Sequence, residues 1–114
     1  MKISKQNAEH YLWGDHCDGW FLVKNGQLSV IHERMPAGTS EARHYHQTAR
    51  QFFFMLSGTA LFELNGEEIV LQPQEGIEVA PNIPHHIRNH TNEAIEFLVI
   101  SQPSTQGDRI LTEE

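Results

Sequence analysis

The 114-residue chain has a single cysteine, Cys17, so no disulfide can form within it. A reducing compartment is the expected setting. There is no basic run either. Eight Lys and Arg residues are scattered against fifteen Asp and Glu, for a net charge of −7 with histidines neutral. Binding a phosphate backbone needs a concentrated positive face, so nucleic acid is not an expected partner, nor is an anionic membrane surface. No stretch approaches the roughly 18 apolar residues of a membrane-spanning helix. The opening MKISKQNAEHYLWG lacks the apolar centre of a signal peptide. A cytoplasmic protein is expected. No segment reads clearly as a helix either, although residues 1–19 have room for an extra edge strand or a helical turn.

What remains is a set of short β-rich runs punctuated by turn residues. Strands are expected near 20–23, 27–34, 41–47, 51–57, 59–64, 67–71, 76–80, 85–89 and 94–101. Asn65-Gly66 lies between two of these runs and suits a type I′ hairpin turn, which needs positive φ at both central residues. The pattern predicts an all-β protein, a small antiparallel barrel or jelly roll. One domain is expected, since the length fits one. Residues 1–26 would pack on or extend the barrel, 27–101 would form it, and 102–114 would be a polar tail on the surface or loose. In QFFFMLS, Gln51, Phe53 and Met55 share one face and Phe52, Phe54 and Leu56 the other. Both faces are apolar, so both need cover. The barrel interior would supply one cover. A second sheet, the N-terminal segment or another subunit would supply the other, and a homodimer is the expected assembly.

Eight histidines stand out, and their positions carry the functional reading. His44 and His46 are at i and i+2, so a strand aims both imidazoles at one spot. Imidazole suits zinc, copper, iron and nickel. A turn over residues 47–50 can bring Gln51 alongside, where its amide oxygen would be a neutral ligand. PHHIRN supplies another imidazole at a strand start after a turn.

With these residues in place the chain resembles the cupin superfamily, as a small single-domain member. The first cupin motif places glycine, five residues, His-x-His, three or four residues, glutamate, six residues and glycine. Here Gly38, His44, His46, Gln51 and Gly58 take those places, with glutamine standing for glutamate. In the second motif His85 and Asn89 fall on the histidine and asparagine, while Gln74, Ala80 and Asn82 replace glycine, proline and glycine. The resemblance implies a barrel holding a divalent transition metal (Fe, Mn, Ni or Zn) on His44, His46, Gln51 and His85. Phe53, Met55, Ile87 and Asn89 would line the small-molecule pocket.

Three imidazoles and an amide cancel none of a dication's charge. The site would draw in an anionic or oxygen-rich ligand and polarise it. The expected function is therefore a metal-dependent enzyme acting on a small polar or anionic metabolite, such as a sugar acid or a keto/enol compound. Isomerase, lyase or dioxygenase chemistry would fit. The alternatives are a metal-anchored small-molecule or sugar-binding module without turnover, and a barrel with an empty site. His32, His86 and His90 read as surface residues, and Cys17 as a small buried hydrophobe. Trp13 and Trp20 read as anchors of the N-terminal segment. Arg50, Glu78 and Arg88 are polar candidates near the site, with Arg88 favoured as an outward charge. No residue reads as the general base.

Overall fold

The computed structural model describes residues 1–112, and no helix forms among them. The chain runs through β1 (Glu9–Trp13), β2 (Cys17–Lys24), β3 (Ser29–Met35), β4 (His44–Tyr45), β5 (Arg50–Ser57), β6 (Ala60–Leu64), β7 (Glu67–Leu71), β8 (Gly76–Val79), β9 (His85–Arg88), β10 (Ile95–Gln102) and β11 (Ile110–Leu111). These form a six-stranded sheet, β1-β2-β3-β10-β5-β8, and a five-stranded sheet, β11-β4-β9-β6-β7. Every pairing is antiparallel. The architecture is a jelly roll.

Alternation along each strand decides what faces inward. On β5, Gln51, Phe53 and Met55 are buried, whereas Phe52 on the opposite face is 39% exposed. On β10, Ile95, Phe97, Val99 and Ser101 are buried in the same rhythm. Phe53, Phe62, Phe97, Met35, Met55, Ile87 and Ile95 are the largest apolar side chains of the core, drawn from both sheets. Cys17 lies in that core, fully buried. No helix of the described chain is long and apolar enough to cross a membrane.

The turn chemistry matches the residues. Asn65 and Gly66 take φ values of 51° and 92° between β6 and β7, where Leu64 pairs with Glu67. That is the expected positive-φ hairpin. Gly58 sits at φ 79°, and a Cβ there would lie 2.6 Å from the Ile95 Cγ2 atom. Gln74 and Asn82, standing at glycine positions of the second motif, both hold φ 69°. The left-handed turns are thus kept without glycine. A non-glycine residue in such a conformation costs roughly 1–3 kcal/mol, which the surrounding pairing must offset.

One expected strand needs correction. The strand expected over 41–47 shrinks to His44–Tyr45. The backbone before it is engaged elsewhere: Glu41 donates its N–H to Ile87 O at 3.0 Å, and Gly38 to Asn89 O at 2.8 Å. The tail, expected on the surface or loose, is paired over part of its length, where β11 joins β4 through Ile110↔Tyr45 and Leu111↔His44. The last two tail residues, Glu113 and Glu114, lie outside the described residues. The N-terminal segment forms β1 and β2 at one edge of the six-stranded sheet.

Candidate metal centre

His44 stands on β4 directly opposite His85 on β9. His46 follows β4 by one residue. The three rings meet with centroid separations of 4.9 Å (His44–His46), 4.6 Å (His44–His85) and 5.8 Å (His46–His85). All three side chains are buried, and one nitrogen from each lies within 4.8 Å of the others.

The hydrogen bonds decide which nitrogen each ring presents. His44 Nδ1 lies 2.8 Å from Ala42 O, His46 Nδ1 2.7 Å from Asp108 O, and His85 Nδ1 2.9 Å from Ile83 O. A carbonyl oxygen only accepts, so each Nδ1 carries the proton. Each neutral imidazole then offers the Nε2 lone pair. Burial keeps the rings neutral. It pushes the pKa of His44 down to about 3 and that of His85 down to about 4, and it lowers that of His46.

Gln51 completes the picture from β5. Its Nε2 donates to Ser101 Oγ at 3.1 Å, which turns its carbonyl oxygen toward His85 Nε2, also at 3.1 Å. With the His85 proton on Nδ1, neither atom of this second contact has a hydrogen to give, so two lone pairs face each other. His46 Nε2 is buried with no hydrogen-bond partner among the described residues. Inward-facing lone pairs on three nitrogens and an amide oxygen are what a borderline divalent cation satisfies. The donor set therefore fits a transition metal. Phe62 stacks on the His85 ring at 5.9 Å and Phe53 meets it edge-on at 5.8 Å, so the third imidazole is held by the core.

The cupin domain model, Cupin_2, matches residues 31–101. The chain belongs to the cupin family. Among curated proteins, this cupin is 27% identical over 82 residues to an uncharacterized protein of Methanocaldococcus jannaschii, a match covering 72% of this chain and 66% of that one. It is 30% identical over 77 residues to the quercetin 2,3-dioxygenase of Bacillus subtilis, covering 66% of this chain but 23% of the dioxygenase. The chain therefore spans less than two thirds of either relative. Among solved structures, a predicted oxalate decarboxylase from Thermotoga maritima superposes with a TM-score of 0.83 at 17% identity, over 91% of this chain and all of that one. That likeness is one of fold.

Above the histidines this cupin opens a cavity of about 370 Å³. Of the four side chains expected to line it, only Phe53 does so. Met55 and Ile87 are fully buried in the packed core. Asn89 is used as a pin: its Nδ2 donates to Met35 O, Pro36 O and Glu93 O, and its Oδ1 accepts from Thr91. A side chain so fully engaged has nothing left for a ligand.

Polar groups that sequence reasoning did not single out take the wall instead. Tyr11, Glu33, Glu41 and Arg109 face the cavity, as does Trp13, expected only to anchor the N-terminal segment. Tyr11 donates to Glu33 Oε2 at 2.9 Å, and its ring fits because residue 19 is glycine: a Cβ there would lie 2.2 Å from Tyr11 Cζ. Burial pushes Glu33 up to about 7, against the Tyr11 hydrogen bond and the charge of Arg109. Burial, with the neighbouring Glu33, pushes Glu41 up to about 8. Glu41 Oε2 stands 4.0 Å from His44 Nε2. A signal for Glu33 existed: Ser29, Ile31, Glu33 and Met35 share the inward face of a strand, and an acid on an apolar face is buried.

The other candidates lie elsewhere. Arg50 and Glu78 pair at 2.8 Å on the surface, and Arg88 points outward to Glu68. His90 is exposed. His32 is half-buried, 2.6 Å from Glu96 Oε1. His86, expected on the surface, is buried against Glu63 at 3.0 Å on the far side of β9.

Proposed function

We propose that this cupin is a metal-dependent enzyme acting on a small polar or anionic metabolite. The observation that carries the reading is the matched tautomer of three buried imidazoles, each with Nδ1–H fixed on a carbonyl and Nε2 turned to a common point. His44, His46, His85 and the Gln51 amide oxygen would hold a divalent transition metal: iron, manganese, nickel or zinc. The ion supplies Lewis acidity toward a carbonyl or hydroxyl oxygen of the substrate.

This chain's own residues supply the rest. Glu33 and Glu41 face the cavity, and in the metal-free chain burial raises both toward the neutral range, where a carboxyl can take and give a proton. Tyr11 orients Glu33. Arg109, at the exposed rim of the cavity, presents a fixed positive charge to an entering anion. Trp13, Ile31, Phe53 and Val99 give the cavity an apolar lining that excludes water. Proton transfer at a carbon or oxygen beside the polarised group follows, which is isomerase or lyase chemistry; a dioxygenase is the variant suggested by the quercetin-acting relative. The carboxyls favour turnover over a binding module without chemistry.

The exposed face of β5 supports a homodimer. Phe52 and Phe54 stack at 6.2 Å there, beside the half-buried Leu98 and Ile100 of β10.

Metal analysis of untagged protein tests the reading. About one transition-metal ion per chain is expected, lost in the His44→Ala/His46→Ala double variant. Metal-free wild-type protein that takes up none of the four ions would overturn it. Uronates and keto-acids incubated with the loaded protein separate turnover from binding: consumption marks an enzyme, and a raised Tm with the compound intact marks a binder.

A further inference from the structure

We propose that Asp108 is a positioning residue of the metal centre, gripping His46 through its ring and through the backbone that follows it. This rests on reading the histidine cluster as a metal site. The Asp108 carboxylate accepts three consecutive backbone N–H groups, Gln47 at 2.8 Å and Thr48 and Ala49 at 3.0 Å each. These donors come immediately after His46. The carbonyl oxygen of the same Asp108 accepts the His46 Nδ1–H at 2.7 Å. The segment is seated by the β11–β4 pairing, and Thr112 donates its N–H to Arg43 O at 3.0 Å just beyond it.

The three histidines differ in how their tautomers are set. His44 and His85 are each fixed by a carbonyl two residues upstream, Ala42 and Ile83. Those partners come with the local chain. The partner of His46 is 62 residues away. Its Nδ1–H therefore depends on the C-terminal segment being docked, and the carboxylate fan is what fastens that segment to the loop. Without it, three N–H groups lose a charged acceptor, and the Asp108 carbonyl is free to drift from the ring. An imidazole released from its acceptor can carry its proton on Nε2, and that form has no lone pair to give at the site. Outer partners of this kind are worth about 10–100-fold in metal affinity.

The test uses the full chain as wild type, Asp108→Ala and Asp108→Asn. Affinity for Co(II) is read by competition with a chromophoric chelator. The tautomers of the metal-free protein are read from long-range proton–nitrogen spectra of the imidazoles, well below Tm. The proposal expects Asp108→Ala to bind Co(II) about 10–100-fold more weakly. Asp108→Asn should fall between, because its Oδ1 still accepts part of the fan. In the variants His46 should become a mixture of tautomers while His44 and His85 stay protonated on Nδ1. Should Asp108→Ala fail to fold, Asp108→Asn carries the test. A lowered Tm with the His46 tautomer unchanged would mark a merely structural role and overturn the proposal. Wild-type protein that binds no Co(II) would sink the metal reading alone, and the tautomer spectra would still decide the role of Asp108.

Discussion

His85 and His86 are consecutive on β9 and face opposite sides of the sheet, each into a buried cluster of histidine and glutamate. The outer cluster is self-compensated. Glu63 accepts from Arg43 Nε at 2.7 Å and from His86 Nδ1 at 3.0 Å, and takes the Gly66 N–H as well. Burial pushes the Glu63 carboxyl up, but these bonds outweigh it and hold it below its ordinary value. The inner cluster has no such counter-charge at contact. There Glu33 and Glu41 rise to about 7 and about 8, and His44 and His85 fall to about 3 and about 4. Burial neutralises acids and bases alike unless a partner is built in. The outer cluster holds structure together. The inner one leaves lone pairs and protons uncommitted, which is the condition a metal and a substrate need.

Exchanging the two neighbours gives the largest expected contrast. His85→Ala should weaken metal binding beyond the 10–100-fold, about 1.4–2.7 kcal/mol, typical of losing an outer partner, because a proposed direct ligand is removed. His86→Ala should leave metal affinity at the wild-type value while lowering stability by about 1–3 kcal/mol, read from the denaturant midpoint. Metal loss in both variants would mean that the two faces are not separate.

The glutamates sharpen the comparison by sign. Glu63→Gln should cost about 1–3 kcal/mol at neutral pH, since Arg43, His86 and the Gly66 N–H all lose a charged acceptor. Glu33→Gln should do the reverse at high pH. The Glu33 pKa rises from an ordinary 4.5 to about 7 on folding. Between those values the folded protein keeps a proton that the unfolded chain has released. Stability therefore falls as pH rises through this window, and the loss is complete above it. Tyr11, Arg109 and Glu41 still face the position in the variant. In the metal-free protein Glu33→Gln should match wild type near pH 4 and exceed it by up to about 3 kcal/mol at pH 8, measured by urea unfolding at each pH. Equal stability at both values would show that Glu33 stays ionised.

What the sequence made legible follows from how local each signal is. The strand alternation, the Asn65-Gly66 turn and the spacing around His44, His46 and His85 are short-range patterns, and they lead to a jelly roll with a histidine cluster. The cavity wall is assembled across distance. Tyr11 on β1 meets Glu33 on β3 through the room left by Gly19, and Arg109 arrives from a tail whose polar composition reads as a surface or loose segment. Asn89 misled for a related reason. Its motif position marks it as important, but three carbonyls converging on one amide is a property of the folded turn, invisible in a linear chain. Alternation over the strand expected at 41–47 would set Glu41 on the face opposite His44 and His46, but the chain is irregular before β4 and that alternation does not hold.

The smallest expected effect concerns Gln51, where the inner cluster departs from the motif. Ser101 holds the amide so that its oxygen, not its nitrogen, faces His85. A carboxylate in its place would add a charge-assisted bond to the ion and cancel part of its charge. Gln51→Glu should therefore bind Co(II) about tenfold more tightly, on the order of 1.4 kcal/mol. The same substitution should weaken capture of a simple anion. Acetate titrated into the Co(II)-loaded proteins, followed by the visible spectrum, should show several-fold lower affinity in Gln51→Glu than in wild type. The two effects are linked, because one negative charge near the ion does both. Tighter cobalt with unchanged acetate affinity would mean that the neutral amide sets metal retention only, and that the charge of the site does not select what enters it.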